Sequence, residues 1–402
     1  VTKSDDKRVP ALRFKGFTDE WEQRKLGDIT KRISRKNLNL DSTLPLTISA
    51  QYGLVDQRKF FDKQIASKKL ENYLLLKNGE FAYNKSYSKD YPFGAIKRLN
   101  NYKLGVLSTL YIAFKPVSIN TDYLEEYFDS TKWYKEIYKR ATEGARNHGL
   151  LNISPQDFFE LNLSIPNNRI EQERISKILK LLSLVITLQQ RKLEQLKTIK
   201  QELIKRVFSN HNWETVRFKD IVQLNRGLTY HPSDITNNAG VRVLRSSNIQ
   251  NSKLVYNHDD VFVKKNITDP QHSLRQYDIL ITAANGTVSL VGKHALYLYD
   301  DENQAGGFMI LLHAKNPFFI NCLLDSDWYK RQLARLITGG NGSIGNLKIS
   351  DLQKTLVKIP KDSIQQSIGT TFYKLDQKIE LKEKKVINLN NLKQFLLQNM
   401  FI

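Results

Sequence analysis

The segment from Trp21 to Phe208 is echoed in order from Trp213 to Phe401, so the 402-residue chain repeats with a period of about half its length. A duplication on that scale requires two similar folding units rather than a solenoid of short repeats. Each half opens on a tryptophan followed by a short matched segment, Leu26 to Ile29 (LGDI) and Phe218 to Ile221 (FKDI). Further on, LKNGEFAYN (Leu76 to Asn84) parallels LRQYDILIT (Leu274 to Thr282), where an acidic residue follows a turn and leads into an apolar strand. TEGARNHGLLNIS (Thr142 to Ser154) then parallels TGGNGSIGNLKIS (Thr338 to Ser350), with glycines aligned at Gly144 and Gly340. Both halves next reach an Ile-Pro pair, Ile165-Pro166 and Ile359-Pro360, beyond which the composition shifts to long runs of Leu, Lys, Gln and Glu. Proline ends each globular part and a helix follows.

Alternating steps of four and three from Ile175 pass through Leu179, Leu182, Ile186, Gln189, Leu193, Leu196, Lys200, Leu203 and Val207. The same steps from Ile368 pass through Phe372, Leu375, Ile379, Lys382, Val386, Leu389, Lys393, Leu396 and Met400, with polar residues at the same two steps. This is the pattern of a coiled-coil seam, and the matched polar steps and equal lengths predict that the two helices pair with each other. Neither run contains proline, and only Gly369 departs from good helix formers. At 1.5 Å per residue each helix would be roughly 50 Å long.

Short Val-, Ile-, Tyr- and Phe-rich strands broken by Gly and Asn turns fill the globular parts, for example Val241 to Ser246 and Asp278 to Gly286. The expected fold class is α/β: two mixed α/β domains with curved sheets, separated by two long helices in an antiparallel coiled coil. The expected boundaries are 1–166 for the first domain with its N-terminal segment and 167–211 for the central helix. The second domain then takes 212–360 and the C-terminal helix 361–402.

Lys and Arg number 62 against 41 Asp and Glu, a net charge of +21 that must repel itself or meet a polyanion, with nucleic acid the leading partner. The single cysteine, Cys322, excludes an internal disulfide framework and a cysteine-built zinc site, and suits a reducing cytoplasm. The N-terminal VTKSDDKRVPALRF lacks the apolar core of a signal peptide and no stretch is long and apolar enough to span a bilayer, so a cytoplasmic protein without membrane partners is expected.

Several motifs resemble chemistry without carrying it. GTVSLVGKH (Gly286 to His294) has a phosphate-loop look, but five residues separate its glycines and His294 stands where Ser or Thr should bind magnesium, so it is read as a turn between strands. KNPFFI (Lys315 to Ile320) lacks the second proline of the amino-methyltransferase motif, and no glycine-rich cofactor loop accompanies it. Asp376, Glu380 and Lys382 fall in the second helix, where they are read as solvated positions, and the seven histidines are not spaced to face one metal. No catalytic constellation, metal site or cofactor site is expected.

What recurs in both halves is Arg, Lys, Asn, Ser and Gly at loop positions, side chains suited to phosphates and base edges. Candidate DNA-binding residues in the first half are Lys31, Arg32, Arg35 and Lys36 of KRISRKN, then Asn84 and Lys85, then Arg140, Arg146, Asn147 and His148. In the second half they are Asn225, Arg226, Arg245, Ser247, Asn248, Asn285, Asn341 and Ser343, the last two in the GGNGS loop.

The duplicated order of these segments resembles the specificity subunits of Type I restriction-modification systems over essentially the whole chain. The resemblance is carried by FKGFTDEW (Phe14 to Trp21), the LGDI and FKDI starts, the GEFAYN and YDILIT strands, RVLRSSNI (Arg242 to Ile249), and the helix starts EQERISKIL (Glu171 to Leu179) and QQSIGTTF (Gln365 to Phe372). It implies a non-catalytic subunit in which two target recognition domains each read half of a split double-stranded DNA site while the helices set their separation. It also implies two methyltransferase subunits using S-adenosylmethionine, and two restriction subunits using ATP and magnesium, as the partners that hold the chemistry. Two other classes fit the same residues: a self-sufficient DNA methyltransferase or nuclease with an unfamiliar site, and a basic coiled-coil protein that binds RNA.

Overall fold

A computed structural model describes residues 8–402 except 50–51, 62–69, 87–90, 141–145, 148–149, 152, 210–211, 238–239 and 339–343. The chain divides into two compact units, 1–190 with 385–402 and 191–384. The division cuts both long helices, Arg169–Phe208 and Asp362–Asn399, so each unit holds one globular part and a portion of each helix.

In unit 1 the strand Glu22–Lys25 pairs antiparallel with Asn162–Ile165 and closes the base of the domain. A four-stranded sheet then runs Thr30–Arg32, Ile112–Pro116, Phe81–Asn84, Ala95–Arg98 in spatial order. Because side chains alternate along a strand, Phe81 and Tyr83 join the core with Trp21, Phe114 and Tyr123, while Ala82 faces a second cluster with Leu46 and Leu76. A strand covered on both faces reads as a continuous apolar run, which is the character of EFAYN.

Unit 2 repeats the plan. Glu214–Arg217 pairs with Leu356–Ile359, and the sheet starts Val222–Arg226, Met309–Ala314, Ile279–Thr282, His294–Leu296 before adding two short strands. Ile279 and Ile281 join one core and Leu280 the other, the same alternation as in unit 1. The acidic residue ahead of each central strand closes a tight turn: Glu80 Oε2 accepts the Lys77 backbone N–H at 2.7 Å and Asp278 Oδ2 accepts that of Arg275 at 2.6 Å. In both turns the residue just before the acid is left-handed, Gly79 at φ 85° and Tyr277 at φ 72°. Only glycine adopts that conformation without strain.

The long helices contain 40 and 38 residues, about 60 and 57 Å at 1.5 Å per residue, longer than the roughly 50 Å expected from the seam alone. The extra turns lie outside the apolar pattern, where polar helix formers continue the helix. Every predicted seam position of the second helix is buried or half-buried. In the first helix Leu203 departs from expectation: it is exposed, and Ile204 is buried instead beside Phe372 and Cys322. A step of four rather than three after Lys200 turns the seam toward the domain that the helix packs on. Antiparallel pairing is explicit in unit 2, where Lys200 meets Asp376 at 2.7 Å and Lys197 meets Glu383 at 3.1 Å. In unit 1, Ile175 and Leu179 share a core with Leu396, Leu397 and Met400. Asp376 is thus an ion-pair residue rather than a solvated position, while Glu380 pairs along its own helix with Lys384 at 2.9 Å. A Cβ on Gly369 would come within 2.5 Å of the Phe319 backbone nitrogen, which explains the one glycine in the second helix.

Candidate nucleic-acid interface

In both units the loop leaving the central strand meets the strand that follows the glycine-containing loop. The Leu151 N–H donates to the Lys85 carbonyl at 3.0 Å, and the Leu347 N–H donates to the Ala283 carbonyl at 2.7 Å. Leu151 and Leu347 hold the same place in the two matched segments, as do Lys85 and Ala283. One backbone bond therefore gathers two of the basic, polar segments at one end of each domain.

In unit 2 that end holds an open cleft of about 590 Å³. Its walls include Arg245, Ser246 and Ser247, then Ala284, Asn285 and Gly286, with Gly306 to Met309 and Ile344. Three of the residues selected from sequence, Arg245, Ser247 and Asn285, thus share one cavity. Asn285 Nδ2 donates to Ser246 Oγ at 2.8 Å and its Oδ1 accepts the Thr287 N–H at 2.8 Å, which fixes the amide. Arg245 Nη2 donates to the Asp259 carbonyl at 2.9 Å, and its buried Nε has no partner. The floor is built by close backbone approach: a Cβ on Gly227 would fall 2.0 Å from the Gly306 carbonyl oxygen. Thr229, Tyr230, Gly306, Gly307 and Phe308 also line this cleft, and sequence reasoning missed them. The glycine pair directly before an aromatic residue was the available signal.

Asn248 is a correction. It is fully buried, its Oδ1 accepting the Arg245 N–H at 2.8 Å and its Nδ2 donating to the Val255 carbonyl at 2.9 Å and to Asp260 Oδ1 at 2.7 Å. Every polar atom of the amide is spent on the loop that presents Arg245, so its role is positional. Asn225 is half-buried, with Nδ2 3.4 Å from the Gln271 carbonyl, and Arg226 is exposed, its carbonyl accepting from His272 Nδ1 at 2.7 Å. Asn341 and Ser343 lie outside the described residues, as does His148.

The unit 1 candidates are more dispersed. Lys31 and Arg32 are exposed on the edge strand of the sheet, and Lys36 is exposed just beyond it. Arg35 is engaged internally, Nη2 donating to the Leu75 carbonyl at 2.9 Å and to Glu80 Oε2 at 2.8 Å. Asn84 and Lys85 are half-buried at the end of the central strand, Asn84 Oδ1 accepting the Ser86 N–H at 3.0 Å and Lys85 Nζ lying 3.4 Å from the Ile153 carbonyl. Arg146 and Asn147 form a short strand paired with Leu150–Leu151, which places their backbone beside Lys85. Arg140 ends the helix Tyr134–Arg140.

Among the described residues no group of His, Cys, Asp or Glu is arranged to hold a metal ion, and no helix is long and apolar enough to cross a membrane. The GTVSLVGKH segment forms a short turn, Val288–Leu290, between the strands Ala284–Asn285 and His294–Leu296. Pro317 begins the helix Pro317–Leu324.

The fold and the cleft define a duplicated α/β protein in which paired helices and a basic loop end recur in each half. Residues 210–391 match the Type I restriction modification DNA specificity domain. The chain is 28% identical over 190 residues to the StySPI specificity subunit of Salmonella potsdam, covering 46% of this chain and 40% of that protein. It is 21% identical over 307 residues to the MjaVIII specificity subunit of Methanocaldococcus jannaschii, covering 70% of each. Among solved structures, the Type I S subunit from M. genitalium aligns with a TM-score of 0.61 at 15% identity, over 98% of this chain and 99% of that one. A second, from a study of Type I assembly and conformational transition, aligns with a TM-score of 0.54 at 13% identity over 95% and 97%. The family match thus covers residues 210–391, the relatives matched along the chain are Type I specificity subunits, and this chain spans less than half the length of the StySPI subunit.

Proposed function

We propose that this chain reads a bipartite site on duplex DNA, one half-site per unit, and directs partner methyltransferase and restriction subunits to it without catalysing either reaction. The unit 2 cleft carries this reading: Arg245, Ser247 and Asn285 come from separate segments and converge on one open cavity in a chain of net charge +21. The unit 1 loops carry different side chains on the same backbone frame, which favours a different half-site. On this reading S-adenosylmethionine, ATP and magnesium act on the partner subunits, and two copies each of the methyltransferase and restriction subunits complete the complex.

A surface suited to partner helices supports it. On the unit 1 part of the first helix, Ile178, Leu181, Val185 and Leu188 follow a second run of three- and four-residue steps, and all are exposed. The substitutions Leu181→Glu and Leu188→Glu together are expected to abolish association with the methyltransferase subunit while leaving DNA binding intact.

The direct test selects sites from a random duplex pool with the full chain, then with a chain whose segment 17–166 is exchanged for that of a related subunit. One half-site should change and the other persist; simultaneous change of both would refute independent reading. Seven residues inserted near Gln189 and at the opposing point of the second helix keep the seam in register and add roughly 10 Å, about three base pairs, to the spacer. Enrichment of the original spacer with undiminished affinity would show that the helices do not set the distance.

A further inference from the structure

We infer that Phe308 in unit 2 and Leu110 in unit 1 are matched apolar wedges, each inserting at a base step of its own half-site; this rests on the DNA-reading role proposed above. Phe308 is 69% exposed and Leu110 is 71% exposed, the most exposed phenylalanine and leucine of the described chain. Their equivalence follows from strand register. Thr282 pairs with Met309, which puts Phe308 one position beyond, opposite Ala283. Tyr83 pairs with Ile112, which puts Leu110 two positions beyond, opposite Lys85. Ala283 and Lys85 are the two residues whose carbonyls accept the Leu347 and Leu151 N–H groups. The turns agree as well: the Met309 N–H donates to the Gly306 carbonyl at 2.8 Å and the Tyr111 N–H to the Ser108 carbonyl at 3.2 Å.

Neither side chain is outward because its backbone is loose. The Phe308 carbonyl accepts the Ala283 and Ala284 N–H groups at 2.8 and 3.1 Å, and the next residue, Met309, is fully buried. Gly306 and Gly307 before it leave the ring without flanking side chains; a Cβ on Gly306 would come within 3.1 Å of the Leu244 carbonyl oxygen and one on Gly307 within 3.1 Å of Thr229 Oγ1. In unit 1, Ser108 Oγ accepts the Leu110 N–H at 3.3 Å, which closes the turn under the leucine. A rigid turn that holds a large apolar group in water, at the same register position of both repeats, offers a partner an apolar contact at a fixed place in each unit.

Duplex DNA fits that partner. Phe308 stands in the cleft whose wall carries the Arg245 guanidinium and the Ser246 and Ser247 hydroxyls, so a phosphate or base edge can bond to the wall while the ring meets an opened step. In unit 1 the register continued past Tyr83–Ile112 brings Leu110 opposite Lys85, whose Nζ lies 3.4 Å from the Ile153 carbonyl. Phe and Leu are both side chains that unstack a base step by insertion, which kinks the duplex toward the major groove.

The test uses the full chain and a duplex carrying the bipartite site it enriches from a random pool, with 2-aminopurine placed in turn at each purine of both half-sites. Wild-type protein should raise the fluorescence at one step in each half-site. Phe308→Ala should remove the signal from one half-site and Leu110→Ala from the other, each weakening binding roughly ten-fold or more. Phe308→Leu and Leu110→Phe should retain both the signal and most of the affinity, which separates insertion from misfolding. If no bipartite sequence is enriched, the DNA-reading role and the wedges fall together. If a site is enriched but every position stays dark, or the alanine variants bind within about two-fold of wild type, the wedges alone are overturned and the exposed side chains belong to a protein contact.

Discussion

In unit 2 the seam lysine Lys200 lies between Asp325 at 2.9 Å and Asp376 at 2.7 Å, with His294 on the far oxygen of Asp325 at 3.4 Å. In unit 1 the matching lysine, Lys393, stands 3.6 Å from Asp129 and 4.0 Å from Glu126, and Lys97 takes the other oxygen of Asp129 at 2.7 Å. Asp129 and Asp325 occupy the same place in the repeat, directly before Ser130 and Ser326. Three positions earlier, Glu126 in unit 1 corresponds to Cys322 in unit 2, so one unit buries a carboxyl where the other buries a thiol. Lys200 belongs to the first sequence repeat yet serves unit 2, and Lys393 belongs to the second yet serves unit 1. The frame is kept through a reciprocal exchange of helices, and the buried chemistry around it is free to differ.

The largest effect should come from removing the better-buried lysine. Burial disfavours the charge on Asp325, but His294 and Lys200 outweigh it and hold the carboxyl well below the usual range. Lys200→Met would leave two carboxylates facing each other without their cation and is expected to destabilise unit 2 by about 3 kcal/mol or more. Lys393→Met should cost less, since Lys97 still neutralises Asp129. Urea unfolding of the full chain, with hydrogen exchange assigning the loss to one unit, measures both; equal losses would break the asymmetry.

Next in size are Asn37 and Asn248, both fully buried. Asn37 ties its loop through the Ser42 carbonyl at 2.8 Å and the Ser42 N–H at 3.1 Å, as Asn248 ties the Arg245 loop. Alanine at either position should cost about 2 kcal/mol by orphaning buried backbone groups. Arg245→Ala should leave thermal stability near wild type and weaken DNA binding instead. Thermal unfolding beside a titration with the selected duplex separates the roles, and an Asn248→Ala protein of normal stability but lost DNA affinity would return Asn248 to the interface.

Glu126 supplies a pH signature in unit 1 at the position where unit 2 has a thiol. Burial pushes its carboxyl up to about 7, partly offset by Lys393 and reinforced by Asp129 and Glu125. A raised folded pKa means that the folded state holds the proton through the window from the usual carboxylate range to about 7, so stability falls as pH rises through it. Glu126→Gln should therefore be near neutral at acidic pH and stabilising by about 2 kcal/mol above that window. Urea midpoints across the range test this, and a difference independent of pH would show that folding does not raise the pKa of this carboxyl.

The smallest contrast lies in the paired turns. Gly79→Ala should cost about 1 kcal/mol at its left-handed position. Tyr277→Gly should change stability less, because relief of the same backbone strain is offset by loss of the Tyr277 ring contact with Phe318 at 5.1 Å. Thermal midpoints of the two variants compare them directly.

The seam was legible because a coiled-coil face is periodic, and the period is a property of the sequence alone. So were the paired turns: an acid that caps its own turn is a local event, and Glu80 and Asp278 had to fall at the same place for the strands to start alike. Leu203 was misread because its surroundings are not local. Whether three or four residues follow Lys200 depends on which side the Cys322 helix lies, and no nearby residue encodes that. The convergence of Arg245, Ser247 and Asn285 was half legible, since loop chemistry marked the residues but not their shared cavity. Phe308 and Leu110 were invisible, because a phenylalanine or leucine beside a strand reads as core until the register shows it facing water.

Sequence by itself determined that this protein has two like units, that two long helices pair through a polar-stepped seam, and that the chain carries a net charge of +21. These follow from repetition, periodicity and net charge, which need no coordinates. Tertiary structure alone decided which end of each helix serves which unit, which asparagine is buried and which is available, and which apolar side chains are left outside. Those outcomes depend on contacts between residues far apart in sequence, where the packing of one segment fixes what another can bury.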